Sequence, residues 1–241
     1  MTIKRDGLGD LYVYFSCIVV PQPVARAMTG KSAGFDFGLT TFLTGSDGVE
    51  IHASEVFKPE LRTSAKAKRA LSRKQHGSHN RRRARQSLAR VHKHVVHVRQ
   101  AFHWDLAQQL CEQYDNIGLE TLNLQGMKAL WGCKVSDLGF GDFVSILHQV
   151  AAKTGTVVHH IAQWFPSSKR CHVCGNLNAF ITLRDRVWIC ACGVTHQRDH
   201  NAAINIFREG ASSFGRGYVG LVPRMVKISK RIALSQVTLP P

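Results

Sequence analysis

Acidic residues are scarce in this chain. Across 241 residues there are 16 Asp and Glu against 32 Lys and Arg, a formal net charge of +16. From Leu61 to Trp104 there is no acid, although that stretch carries 13 Lys and Arg and six His. None follows Glu209 either. Such an imbalance excludes no fold, but it predicts polyanionic partners. Long apolar runs are also missing. No segment approaches the ~20 apolar residues of a membrane span, so no membrane partner is expected. The start of the chain loosely mimics a secretory signal, with Lys4 and Arg5 before "LYVYFSCIVV". Asp6 and Asp10 interrupt the basic part, and the Tyr, Phe and Val content predicts a β-strand instead. A cytoplasmic location follows. The seven cysteines do not read as a disulfide framework. Cys17, Cys111 and Cys133 are isolated and read as small core residues. The other four cluster, as metal ligands do in a reducing compartment. There is no internal repeat.

Hydrophobic residues make up 44% of the chain, enough for one sizeable core with a small satellite. "KRDGLGD" predicts a turn between a short first arm and a strand over 11–20. "SAGFDFGLTTFLTGSDGVEI" (32–51) predicts three strands, with "GSDG" as a hairpin turn. Two helices follow, split by "HGSH" (76–79). In the second, Leu88, Val91, Val95, Val98 and Phe102 recur at helical spacing. Surface helices normally mix charges, so a hairpin with 44 acid-free residues predicts contact with phosphate backbones. The candidate contacts are Lys66, Lys68, Arg69, Arg73, Lys74, Arg81, Arg82, Arg83, Arg85 and Arg90. Further on, "DNIGLETLNL" predicts a strand and turn. Residues 135–155 predict a helix capped by Ser136 or Asp137 and ended by Gly155. "TVVHHIAQ" predicts another strand, and the tail from Gly210 is expected to be flexible.

"CHVCG" (171–175) and "CACG" (190–193) are two knuckles, each with a glycine where the backbone must reverse. Tetrahedral zinc takes paired thiolates from such turns. "ITLRDRVWIC" between them can form two short strands, which makes a zinc ribbon. The expected ligands are Cys171, Cys174, Cys190 and Cys192. The single spacer residue in the second pair leaves His196 as an alternative to one cysteine. With four protein ligands the ion is structural.

Chemistry is therefore sought among carboxylates. Asp36 lies in a strand between aromatics, Glu120 ends the apolar strand "IGLE", and Asp199 opens the helix of "RDHNAAINIF". Each has an ordinary reading: turn residue, strand-end acid, helix cap. Buried unpaired carboxylates are costly, and three that converge on divalent ions escape that cost. The order strand-Asp, strand-Glu, helix-Asp fits a two-metal nuclease centre of the RNase H type. Arg198, next to Asp199, could contact a scissile phosphate or pair with a neighbouring acid.

The blocks "GFDFGLTTF", "LSRKQHGSHNRRRARQSLARVH", "IGLETLNLQGM", "FPSSKRCHVCG", "RVWICACG" and "RDHNAAINIF" together resemble the TnpB family of transposon-encoded nucleases. They cover about residues 31 to 209 in family order and spacing. The resemblance implies an α/β RuvC-like RNase H fold with an inserted basic helical hairpin and an inserted zinc ribbon. It implies Asp36, Glu120 and Asp199 as catalytic ligands of Mg²⁺ or Mn²⁺, structural Zn²⁺ in the ribbon, DNA as substrate, and a guide RNA in full-length relatives. The expected segments are 1–30, a barrel remnant and linker; 31–164, the nuclease core with its basic hairpin at 61–112; 165–197, the ribbon; 198–209, the last core helix; and 210–241, a basic tail. The location implied is the prokaryotic cytosol or nucleoid. Two departures stand out: Gln197, where the family usually has Asp, and the short second cysteine spacing. Only the last strands of the family's N-terminal region are expected in 1–20. The rival reading is therefore a shortened protein that binds nucleic acid without cleaving it, and a third is a fragment that does not fold alone.

Overall fold

Glycine and the alternation of apolar residues set the sheet that carries the candidate acids. The computed structural model describes residues 1–16, 26–132, 138–182, 184–214 and 232–233. The chain divides into two compact units, Met1–Pro23 with Glu60–Val95 and Tyr218–Pro241, and Val24–Pro59 with Val96–Gly217.

In the first unit, β1 (Thr2–Arg5) and β2 (Leu11–Tyr14) form the expected antiparallel hairpin, with Ile3 opposite Val13. Its turn is stapled by Asp6, which accepts from the Leu8 and Asp10 amides at 2.9 Å each. β10 (Ile232–Ala233) pairs with β2, so the stretch read as a flexible tail contains a strand. Helix α1 (Ser54–Ser72) and helix α2 (His79–Gln113) supply 60–95 to this unit. The break falls at 73–78, as "HGSH" suggested. Helix α1 starts earlier than its basic run and includes Pro59. Leu88, Val91 and Val95 are half-buried while the basic positions beside them are exposed.

The second unit is built on a five-stranded sheet of order β5-β4-β3-β6-β7. Its strands are β3 (Ser32–Phe37), β4 (Leu43–Gly45), β5 (Glu50–Ile51), β6 (Asn116–Glu120) and β7 (Val157–Ile161). β3, β6 and β7 are parallel; β4 and β5 fold back antiparallel through the Gly48 turn. Helices α3 (Leu124–Trp131) and α4 (Phe140–Thr154) follow β6. Gly155, in the left-handed region, ends α4 by donating to the Ala151 carbonyl. The start differs from expectation. Ser136 and Asp137 lie outside the described residues, and α4 begins behind Gly139 with no side-chain cap. The core joins Phe35, Leu119 and Ile117 of the sheet to Leu106 and Leu110 of α2 and Phe143 and Leu147 of α4. Cys111 is buried there, as read; Cys17 and Cys133 lie outside the described residues. Asp115 is buried too. It accepts from the Gly30 amide at 2.6 Å and pairs with Arg26 at 2.7 Å.

Helix α5 (Arg198–Phe214) lies on β3 and β6. It runs five residues past the expected end at 209. Ala202, Ala203 and Ile206 are fully buried under it. A Cβ on Gly34 would sit 2.4 Å from the Phe207 amide nitrogen and 2.6 Å from the Ala203 carbonyl oxygen. Only a glycine fits at that crossing, and the sheet thereby receives the helix at backbone distance.

Candidate functional site

Parallel pairing sets two of the three acids side by side. Phe35 pairs with Leu119, so the next residues, Asp36 and Glu120, leave neighbouring strands at the same level. Glu120 is itself in register with Ile161 of β7. Both carboxylates are partly buried. Burial pushes the Asp36 carboxyl well above the usual range, and the charges of Glu120 and Asp199 push it further, against the pull of Arg198. Asp36 is therefore within electrostatic reach of both other acids. Burial also raises Glu120 to about 7, although a hydrogen bond from the Phe37 amide opposes the shift. Two acids that resist ionisation together form a hard-oxygen donor set suited to Mg²⁺ or Mn²⁺.

Asp199 is in the first turn of α5. Its carboxylate is engaged: Arg186 Nη1 lies 2.8 Å from Oδ2, and Arg198 Nη2 lies 2.8 Å from Oδ1. Arg198 thus pairs with the adjacent acid, the second of the two readings open to it. Gln197 faces elsewhere and donates to Glu50 at 3.5 Å.

The cysteines form a second site. The Sγ atoms of Cys171, Cys174, Cys190 and Cys192 all lie within 4.8 Å of one another. Among the described residues they are the sole group of three or more Cys, His, Asp or Glu at such spacing. Burial opposes ionisation of Cys171, but the amides of Cys174 and Val173 outweigh it and bring that thiol down to about 5. Four thiols at this spacing fit tetrahedral zinc. His196 Nε2 meets Cys171 Sγ at 3.0 Å, a contact that orients this sulfur. The strands differ from expectation. β8 (Val187–Ile189) pairs with β9 (Thr195–Gln197) across the second knuckle, so only one of them lies between the knuckles. The one-residue spacer is accommodated in a turn closed by Gly193, whose amide donates to the Cys190 carbonyl at 2.9 Å.

Sequence reasoning missed how the ribbon is fastened to α5. Buried Asn201 donates to the Arg170 carbonyl at 2.8 Å and accepts from the His172 amide at 3.0 Å. Buried Asn205, one turn on, donates to Ser167 and Arg170 carbonyls at 2.8 and 2.6 Å. Two asparagines four apart in an apolar helix were the available signal, because buried amides need partners. Also missed were Trp164 and Phe180, 83% and 93% exposed. Phe180 sits on a fixed turn, its amide donating to Asn178 Oδ1 at 3.1 Å.

On the basic hairpin, Lys66, Lys68, Arg69, Arg73, Lys74, Arg82, Arg83, Arg85 and Arg90 are exposed. Arg81 differs: its guanidinium donates to the Lys74 carbonyl at 3.1 Å and the Leu71 carbonyl at 3.4 Å, closing the end of α1. Lys93 is neutralised by Asp6, at 2.8 Å, and Asp10. Among the described residues no helix is long and apolar enough to cross a membrane.

Comparison with known proteins adds the following. Residues 15–130 match the OrfB_IS605 family model, described as "Probable transposase", and residues 140–206 match the Cas12f1-like TNB domain. A "Putative RNA-guided DNA endonuclease" of Streptomyces pristinaespiralis is 34% identical over 90% of this chain and 54% of its own length. A counterpart with that description in Mycobacterium tuberculosis is 30% identical over 86% of this chain and 48% of its own. A TnpB-like protein of Acanthamoeba polyphaga mimivirus is 24% identical over 87% and 43%. The chain spans about half the length of these relatives. A chain of the solved Cas12f1–sgRNA–target DNA complex superposes with a TM-score of 0.57 at 15% identity, covering 73% of this chain and 49% of that one. That likeness concerns the fold, a mixed α/β architecture.

Proposed function

The chain belongs to the TnpB family, and from that premise we propose that it is a divalent-metal-dependent DNA endonuclease of RuvC-like, RNase H type. The observation that carries the reading is the placement of Asp36 and Glu120 on adjacent parallel strand ends, with Asp199 near enough to perturb Asp36. Asp36, Glu120 and Asp199 would hold Mg²⁺ or Mn²⁺. The chemistry such ions supply when bound is activation of water and neutralisation of charge at the scissile phosphate. The chain's own part is to fix the donors. The Gly34 crossing sets α5 against the sheet, and Arg186 and Arg198 hold the Asp199 carboxylate in place. Cys171, Cys174, Cys190 and Cys192 would carry structural Zn²⁺, with His196 orienting the Cys171 sulfur. The exposed cations of α1 and α2 would take backbone phosphates of DNA. Guide RNA is proposed as a second partner on the names of the relatives and of the solved complex.

The test compares the parent with Asp36→Ala on single-stranded and duplex DNA in Mg²⁺ and Mn²⁺. Cleavage by the parent and none by the variant is expected. Equal cleavage by both overturns the assignment. The arginine clamp on Asp199 favours the rival reading, binding without cleavage. Salt-dependent binding by the parent with no cleavage in either metal selects that rival.

A further inference from the structure

At the edge of the sheet two imidazoles meet. His148 is on α4 and His160 on the outer strand β7. Their Nε2 atoms are 2.9 Å apart, with ring centroids 5.1 Å apart and planes 27° apart. The centroid separation exceeds the nitrogen contact by roughly two ring radii, so the rings meet tip to tip. Tip-to-tip neutral imidazoles can share only one proton. One Nε2 of the pair carries that proton and the other accepts it.

We propose that His148 and His160 form a binding site for a borderline transition-metal ion, Zn²⁺, Ni²⁺ or Cu²⁺, through their two Nε2 atoms, with water completing the coordination. The ion takes the place of the shared hydrogen. The displaced proton moves to the Nδ1 of the imidazole that held it, so the pair keeps its charge. Zinc–nitrogen bonds of ~2.0–2.1 Å at a tetrahedral angle place two nitrogens about 3.4 Å apart. The tips must open by about half an ångström, and both histidines are exposed enough to turn. Rigid elements carry both ligands, which lowers the cost of closing the chelate. Mg²⁺ prefers oxygen donors, so this site is chemically separable from the carboxylates. The proposal does not depend on the nuclease reading.

The test is equilibrium dialysis of the full chain against buffered Zn²⁺ with excess Mg²⁺ present, followed by metal counting. The variants are His148→Ala, His160→Ala and Glu120→Gln. The parent and Glu120→Gln are expected to hold one more zinc per chain than either histidine variant. Equal zinc in the parent and both histidine variants overturns the site, as does loss of the extra zinc in Glu120→Gln alone. A second measurement guards against misfolded variants. Electron paramagnetic resonance of Cu²⁺ bound to the parent should show coupling to two imidazole nitrogens, and its absence also overturns the site.

Discussion

Glu120→Gln should stabilise the protein at alkaline pH while abolishing cleavage. In the folded chain burial holds the Glu120 carboxyl at about 7, against an ordinary value of 4.5. A raised carboxylate binds its proton more tightly folded than unfolded. Stability is therefore highest below the unfolded value and falls as pH rises through the window from 4.5 to 7. Above that window the full cost is about 3 kcal/mol, an upper bound because Glu120 is only partly buried. At pH ~5.5 the cost is about 1 kcal/mol by the same linkage. Glutamine keeps an oxygen for the Phe37 amide and carries no charge. It also relieves Asp36 of one repulsion. The variant should gain about 2 kcal/mol more at pH ~8 than at pH ~5.5, a differential of about 4–8 °C in Tm. Any change at the four thiols at low pH affects both proteins and cancels in the difference. Thermal melts of parent and variant at both pH values provide the assay. Adding Mg²⁺ at the higher pH should raise the parent's Tm more than the variant's. A variant no more stable than the parent at pH ~8, or equally shifted at both pH values, would refute the argument that Glu120 is held against its ionisation.

Three further outcomes are expected. Gly34→Ala drives a methyl into the Phe207 amide and Ala203 carbonyl; a loss of at least about 1–3 kcal/mol in chemical denaturation is expected, and a neutral effect would mean that α5 does not ride this close. Phe180→Ala should weaken single-stranded DNA binding by about 1–3 kcal/mol through lost base stacking and leave the salt slope of binding unchanged. Arg82→Ala with Arg83→Ala should do the reverse, lowering the slope of log affinity on log salt by about one to two; an unchanged slope in titrations at several ionic strengths counts against phosphate contact.

Local pattern made the parallel strands legible, because "AGFDF" and "NIGLE" are short apolar runs bounded by turns. It also exposed the thiol cluster, whose spacing is a chemical requirement rather than a packing preference. Asp36, Glu120 and Asp199 each read singly as an ordinary turn, strand-end or cap acid, and only their order over strand, strand and helix pointed to a shared centre. Features that depend on tertiary contact were not readable. Arg81 looks like its neighbours in "NRRRAR", and only the approach of α2 to the end of α1 assigns it to carbonyls. The partner of β8 lies beyond the second knuckle, where nothing local distinguishes "THQ" from a loop. Ile232–Ala233 similarly became a strand by pairing with β2, more than 200 residues earlier.

The thiol cluster and the three carboxylates are more closely joined than two separate motifs suggest. The Arg198 amide donates to the Arg186 carbonyl at 2.8 Å, where β8 begins. The Arg186 side chain, from the same residue, holds Asp199. On the other side of the helix, Asn201 and Asn205 bind main-chain groups at the first knuckle. The first two turns of α5 are therefore gripped by both halves of the ribbon, and among the described residues the ribbon has a buried apolar cluster of just four, two of them thiol residues. A cluster so small depends on its metal for rigidity. Removing zinc should consequently act on Asp199 without touching Asp36 or Glu120. The effect should be a loss of placement, seen as weaker Mg²⁺ dependence of stability, while the five-stranded sheet stays folded. A structural ion would then control the reactive centre through two asparagines and one arginine.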